Sequence, residues 1–274
     1  MIAKCYNKQI LECGEGLYTP NERSLVSISC LQYAKSQPSQ NQTVLQITIG
    51  DGSTFVDEVI EHCVCSMKKN EKCQIEIGCT YLQKYCTDDE RWKHLCDSDL
   101  VCIIQLLSFT RASDVWKLGW QGRLEAATHY KTIGTSLFQQ SKVTAAARKY
   151  SKALQYIIPL EYDRECGQRR DVFLLKAACL SNLAACHLKW EHYEDVCKLC
   201  SKVLSNDGNN VKCLYRRGVA YSKLNDFELA RKDFSRAKEL DPNNKAIVEQ
   251  LKQLDVKEKE ADKKYAKALK SMFQ

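Results

Sequence analysis

Nowhere in the 274 residues is there a run approaching the roughly 20 apolar residues that a membrane-crossing helix needs, so neither a membrane span nor a membrane partner is expected. The opening Met1-Ile2-Ala3-Lys4-Cys5-Tyr6 has none of the regions of a signal peptide, which sets the expectation of a cytoplasmic location extending to the nucleus. Metal-ligand spacing is missing too. Among 16 cysteines the only Cys-x-x-Cys is Cys197 to Cys200, inside a predicted helix and without a second pair, while Cys63 and Cys65 point to opposite sides of theirs. Cys63, Cys179 and Cys186 occupy small apolar helical slots, so the cysteines read as reduced core thiols, with no metal site and no cofactor. Aromatic residues are not interleaved with basic ones as a base-stacking platform requires, which argues against nucleic acid.

What is present is ordinary for a soluble globular chain: 44% hydrophobic and 27% charged residues, in a length with room for about two domains. The charge is unevenly placed. Residues 1–122 hold 12 basic and 15 acidic side chains, so −3, and residues 123–274 hold 29 and 19, so +10. A positive half of this kind suits an acidic partner, or is simply a well-solvated helical surface.

The front half has a strand rhythm. Leu25 to Ser29, Val44 to Ile49, Cys73 to Ile77 and Leu100 to Leu107 are short β-branched or alternating runs divided by turn residues. Between the second and third lies one helix, whose Val56, Val59, Ile60, Cys63, Val64 and Met67 make an apolar stripe that must lie against a sheet. Pro20-Asn21 and Gly50-Asp51-Gly52 mark the turns before strand and helix. The fold class this predicts is α+β, an antiparallel sheet wrapped on one helix.

The back half repeats itself. From Val211, Gly218 is position 8, Tyr221 position 11, Ala230 position 20, Phe234 position 24, Ala237 position 27 and Pro242 position 32. From Ala127 the same template finds Gly134, Ala146, Tyr150 and Ala153; from Ala177 it finds Ala184 and Tyr193, with Val196, Cys200 and Val203 in place of the usual small and aromatic residues. Ala177 to Val211 is one 34-residue period, and Ala127 to Ala177 is one period plus sixteen residues, which an extension around Pro159 to Asp171 absorbs. This pattern resembles the tetratricopeptide repeat, an all-α solenoid that needs about three copies to bury a continuous core.

A wider resemblance rests on Ile10-Leu11-Glu12-Cys13-Gly14-Glu15-Gly16, Ile49-Gly50-Asp51-Gly52, Met67-Lys68-Lys69-Asn70-Glu71 and Tyr81, followed by Trp116 and the repeats with Ser181-Asn182-Leu183-Ala184, Leu214-Tyr215-Arg216-Arg217-Gly218 and Asn225-Asp226-Phe227-Glu228-Leu229-Ala230-Arg231. The chain resembles the large FK506-binding immunophilins over nearly its whole length, its front domain looking like a second, inactive prolyl isomerase domain. The resemblance implies a degenerate FK506-binding domain at 1–110, a connector helix at 111–126, three repeats at 127–244 and a capping helix at 245–274. It also implies a pocket of aromatic side chains that lowers the amide rotation barrier, about 18–20 kcal/mol. Here that bowl is largely missing. Its aromatic floor reads Ile60, the family's Pro-Gly lead into the helix reads Glu58-Val59, and the loop between Ser29 and Val44 holds no Phe-Asp pair. Tyr81 alone matches, and reads as a packed ring with a hydrogen-bonded hydroxyl. A non-catalytic front domain is therefore expected, with a weak prolyl isomerase as the alternative.

In tetratricopeptide co-chaperones a carboxylate clamp holds the C-terminal Met-Glu-Glu-Val-Asp tail of heat-shock protein 90. Carried over by repeat position, the resemblance implies that Lys131, Asn182, Lys212 and Arg216 form this clamp, with Thr135 where the family has a second asparagine. Lys212 and Arg216 are four apart and share one helix face, an arrangement that an incoming dianion would convert from repulsion to attraction. Asn182 stands in an otherwise apolar run, where it either grips peptide backbone or bonds a neighbouring helix. Steroid receptors or other client complexes follow as implied partners. After Pro242 the stripe Ile247, Leu251, Leu254, Tyr265, Leu269 and Met272 predicts a helix to about Met272, with seven lysines against four acids from Lys252 to Lys270. That helix caps the solenoid, and relatives imply calmodulin recognition near Tyr265 to Phe273.

Overall fold

A computed structural model describes residues 2–35, 42–86, 97–163, 166–167 and 169–272, with residues 3, 34, 262 and 265–272 described by backbone alone. The chain divides into two compact units, Met1–Ala146 and Ala147–Gln274.

The first unit is built on a five-stranded antiparallel sheet. Its strands are β1 (Tyr6–Glu12), β2 (Leu25–Ala34), β3 (Gln42–Thr48), β4 (Lys72–Ile77) and β5 (Leu100–Thr110), in the spatial order β1-β4-β5-β2-β3. Between β3 and β4 runs α1 (Phe55–Val64), and all six residues of the expected apolar stripe from Val56 to Met67 are buried. They meet Cys73, Ile75 and Ile77, the inward-facing alternate residues of β4, and Ile28, Ile104 and Leu106 of the neighbouring strands. Burial of this shared face is what holds helix to sheet. A capping box starts the helix: Asp57 N donates to Thr54 Oγ1 at 3.0 Å, and Thr54 N donates back to Asp57 Oδ2 at 3.0 Å.

Two features of this unit differ from expectation. β1 is a strand that the sequence pattern does not show, because it is an edge strand with most of its side chains exposed and so carries no inward alternation. Of the stretch expected as a loop between Ser29 and Val44, the described residues are mostly strand, since β2 continues to Ala34 and β3 begins at Gln42, the two pairing from Leu25↔Thr48 to Leu31↔Gln42. Of the polar residues described there, Gln32 is half-buried and Gln42 exposed. A short helix, α2 (Cys79–Tyr85), follows β4. In the segment expected as a connector helix, a 3-10 turn at Val115–Lys117 precedes α3 (Trp120–Gln139). Tyr130 OH donates to Glu22 Oε1 at 2.9 Å, and a His129 ring nitrogen lies 2.8 Å from Asp51 Oδ1, so α3 is tied to the sheet loops of its own unit.

Helix α4 (Val143–Ile157) leads into the second unit, which continues with α5 (Arg169–Lys189), α6 (Tyr193–Leu204), α7 (Val211–Leu224), α8 (Phe227–Leu240) and α9 (Lys245–Met272). Successive helices from α5 onward pack on one another, and α5 also touches α7. The pair α7/α8 encloses Leu214, Ala230, Phe234 and Ala237, with Ile247 and Leu254 of α9 closing the cluster. Gly218 allows this approach, because a Cβ there would lie 2.8 Å from Phe234 Cε1. Val196, Cys200 and Val203, the irregular residues of the middle copy, are all buried in α6. Eight of the sixteen extra residues belong to α5, which starts that far ahead of Ala177, and a 3-10 turn at Ile158–Glu161 follows α4. Contrary to the expectation from sequence, α5 is long and apolar enough, by length and composition, to cross a membrane, with a mean hydropathy of 1.3 over its best window. Its apolar positions Ala177, Cys179, Leu180, Ala184 and Cys186 are instead buried. The fifteen described cysteines are free thiols. Burial pushes those of Cys186 and Cys197 up to about 12 and about 11, which keeps both protonated at neutral pH.

Candidate functional site

Arg216 bridges α7 to α5. Its Nη1 donates to the Ser181 carbonyl oxygen at 2.7 Å and also to Ser181 Oγ, which sets the guanidinium beside the residue preceding Asn182. Lys212 lies one turn earlier on α7 and is exposed, on the same helix face as Arg216. Among the described residues, no hydrogen bond or ion pair engages the Lys212 ammonium, the Asn182 amide, or the Nε and Nη2 of Arg216. A bond from Asn182 to a neighbouring helix is thus not found among them. The Arg216 charge also pulls down on the buried Cys186 thiol, against the larger effect of burial.

Arg217, the next residue, does something else. Its Nε and Nη2 grip both carboxylate oxygens of Asp233 at 2.7 and 2.8 Å, and Nη1 donates to Ser201 Oγ at 2.9 Å. Asp233 is buried, and its hydrogen bond raises the Arg217 pKa further above the ordinary arginine value. This arginine is a structural fork holding α7 to α6 and α8. All three guanidinium nitrogens of Arg217 are engaged, whereas among the described residues Arg216 uses Nη1 alone.

Lys131 and Thr135 belong to the first unit, on α3, both half-buried. No ion pair engages Lys131 among the described residues. Thr135 Oγ1 donates to the Lys131 carbonyl at 2.9 Å, a bond within the helix.

In the front domain a cavity of about 330 Å³ has Ile28, Ile47 and Ile60 among its lining, with Asp57 and Glu61 beside them. None of its described lining residues is aromatic. Its acids are already used: Glu61 Oε1 accepts from Gly52 N at 2.6 Å, and Asp57 Oδ2 from Ser53 N at 3.1 Å. Ile60 is thus in the pocket wall, but Tyr81 is not among the lining residues and lies exposed on α2 rather than packed, its hydroxyl without a partner among the described residues. An expected packed ring is absent because Leu82, not Tyr81, turns inward from this short helix. The calmodulin segment near Tyr265 to Phe273 falls outside the described side chains.

One group of possible metal ligands contains no cysteine. His187, His192 and Asp195 hold one ligand atom each within 4.8 Å of the others, and the signal was a His-x4-His-x2-Asp spacing across a helix–turn–helix.

The tetratricopeptide repeat family profile matches residues 211–244. Human peptidyl-prolyl cis-trans isomerase FKBP4 is 32% identical over 89% of this chain and 53% of its own length. Mouse FK506-binding protein-like is 29% identical over 97% of this chain and 70% of its own. Among solved structures, the C-terminal tetratricopeptide domain of a Plasmodium falciparum FK506-binding protein is 30% identical, with a TM-score of 0.51, over 55% of this chain and 99% of that one. The chain spans about half the length of the first curated relatives it matches.

Proposed function

Since the chain belongs to the FK506-binding immunophilins that carry tetratricopeptide repeats, we propose that it is a non-catalytic adaptor whose repeats bind the acidic C-terminal tail of heat-shock protein 90. The observation that carries this reading is the set of unengaged donors among the described residues on two touching helices, Asn182 on α5 with Lys212 and Arg216 on α7, next to an Arg217 whose three nitrogens are all engaged. Unpaired cations gathered on one face disfavour the empty state and favour a ligand bearing two adjacent carboxylates. The terminal carboxylate and last Asp side chain of such a tail are that ligand. By repeat position, Lys131 completes the clamp, and Thr135 contributes less than the asparagine it replaces. Presentation of steroid receptors or other clients, in the cytoplasm and nucleus, belongs to the same proposal.

Calorimetric titration with a Met-Glu-Glu-Val-Asp peptide tests it. Micromolar affinity is expected, about −8 kcal/mol, because a flexible tail must be ordered on binding. Lys131→Ala weakens it about tenfold, the value of one charge-assisted bond. Affinity unchanged by Lys131→Ala, or no heat at all from the unaltered protein, would remove the clamp.

The non-catalytic part rests on the cavity wall, where Ile60 stands at the expected aromatic floor and Tyr81 is turned away. Without aromatic faces the site has little to desolvate a prolyl ring. In a prolyl cis-trans assay, the full chain should leave the spontaneous rate unaltered. Turnover abolished by Tyr81→Ala would replace this reading with the tethered isomerase.

A further inference from the structure

The end of α5 and the start of α6 hold three side chains with no role in the clamp. His187 lies in the last turn of α5, His192 at the N-cap of α6 and Asp195 in its first turn. We propose that they form a binding site for a divalent first-row cation, zinc in the first instance, with ligands His187 Nδ1, a ring nitrogen of His192 and Asp195 Oδ2.

His187 Nδ1 is buried and has no hydrogen-bond partner. The nearest candidate, Asp195 Oδ2, is 3.6 Å away, too far for a hydrogen bond. That distance is close to what two ligands of one tetrahedral zinc require, since bonds of about 2.0–2.1 Å at the tetrahedral angle put the donors about 3.4 Å apart. His192 sits within 4.8 Å of both, on the solvent side, so a small rotation of an exposed ring closes the set.

The frame is fixed beforehand. His192 N donates to the His187 carbonyl at 3.0 Å, Glu191 N to the Leu188 carbonyl at 3.2 Å, and Trp190 N to the Cys186 carbonyl at 3.2 Å, so the turn holding the ligands is knitted by its own backbone. Trp190 stands edge-on to His187 with ring centroids 5.4 Å apart and walls one side. Lys198 approaches the other Asp195 oxygen, Oδ1, at 3.6 Å, leaving Oδ2 to face the histidine. Three protein ligands of mixed nitrogen and oxygen leave a fourth position for water, and imidazole with carboxylate suits zinc over calcium or magnesium. Bound there, the ion staples α5 to α6 in the repeat that carries Asn182.

The test is thermal unfolding of the full chain with and without about 100 μM Zn2+, backed by equilibrium dialysis, in the unaltered protein, His192→Ala, Asp195→Asn and His129→Ala. Zinc should raise the Tm of the unaltered protein and of His129→Ala by a few degrees. The same shift should be largely lost in His192→Ala and Asp195→Asn, whose affinity falls at least about tenfold. His192 makes no side-chain cap hydrogen bond, so its removal leaves the metal-free Tm in place. With Co2+ in place of zinc, the spectrum should lack thiolate-to-metal charge transfer. No zinc-dependent shift, an equal shift in His192→Ala, or a thiolate band would each overturn the site.

Discussion

The Lys212→Ala/Arg216→Ala double variant is expected to bind the acidic pentapeptide about a hundredfold more weakly than the unaltered protein. Each cation offers the twin carboxylates a charge-assisted hydrogen bond worth about 1.5–3 kcal/mol, and a factor of ten corresponds to about 1.4 kcal/mol. The loss should not come through unfolding. The two residues repel each other across one turn of α7, so their removal relieves about 0.2–0.5 kcal/mol in that helix. What the variant gives up internally is the bond from Arg216 to Ser181, a smaller cost than the peptide contacts. Calorimetry alongside a melting curve separates the two effects. A variant that melts normally and binds as tightly as the parent would show that α7 is not the ligand-bearing face. Raising the salt concentration should weaken the parent more than the variant, since exposed charge pairs are screened.

Phe234→Ala should destabilise the second unit by about 3–5 kcal/mol, the usual cost of emptying a fully buried aromatic site. The ring lies at the centre of the α7/α8/α9 cluster, fully enclosed, with Gly218 beneath it and Tyr215 at 6.1 Å between ring centroids. A second substitution makes the cause visible. Gly218→Ala in the parent drives a methyl to 2.8 Å from the ring and should cost about 1–3 kcal/mol. In the Phe234→Ala background that clash has no partner, and the better helix propensity of alanine, worth about 1 kcal/mol, should make the same change neutral or stabilising. Urea unfolding of the four proteins yields the coupling directly. Additive effects would mean that the ring and the glycine do not meet.

How much of this could be read beforehand follows from which physical signals survive in one dimension. The stripe from Val56 to Met67 and the alternation Cys73, Ile75, Ile77 were legible because each records one buried face at its own period. β1 carried no such record, since an edge strand with both faces largely wet has nothing to alternate. The early start of α5 escaped for a different reason: repeat spacing fixes where copies align, not where a helix begins. Arg216 and Arg217 are the sharper case. Two identical side chains sit side by side, and only the buried Asp233 across the helix pair decides which is bound up and which is available. His187, His192 and Asp195 were missed because the turn between them breaks any single helical period. The setting of Tyr81 is not legible because a lone tyrosine on a short helix has no period to say which face turns inward, and in α2 that residue is Leu82.

The apolar character of α5 bears on synthesis as well as on the finished fold. Its covering helices α6 and α7 lie later in the chain, so after Lys189 leaves the ribosome another thirty-five residues, to Leu224, must follow before both exist. At about 5–20 residues per second that is a delay of about 2–7 seconds. Throughout it the apolar positions of α5, Ala177 to Cys186, lack the later helices that pack on it in the finished fold.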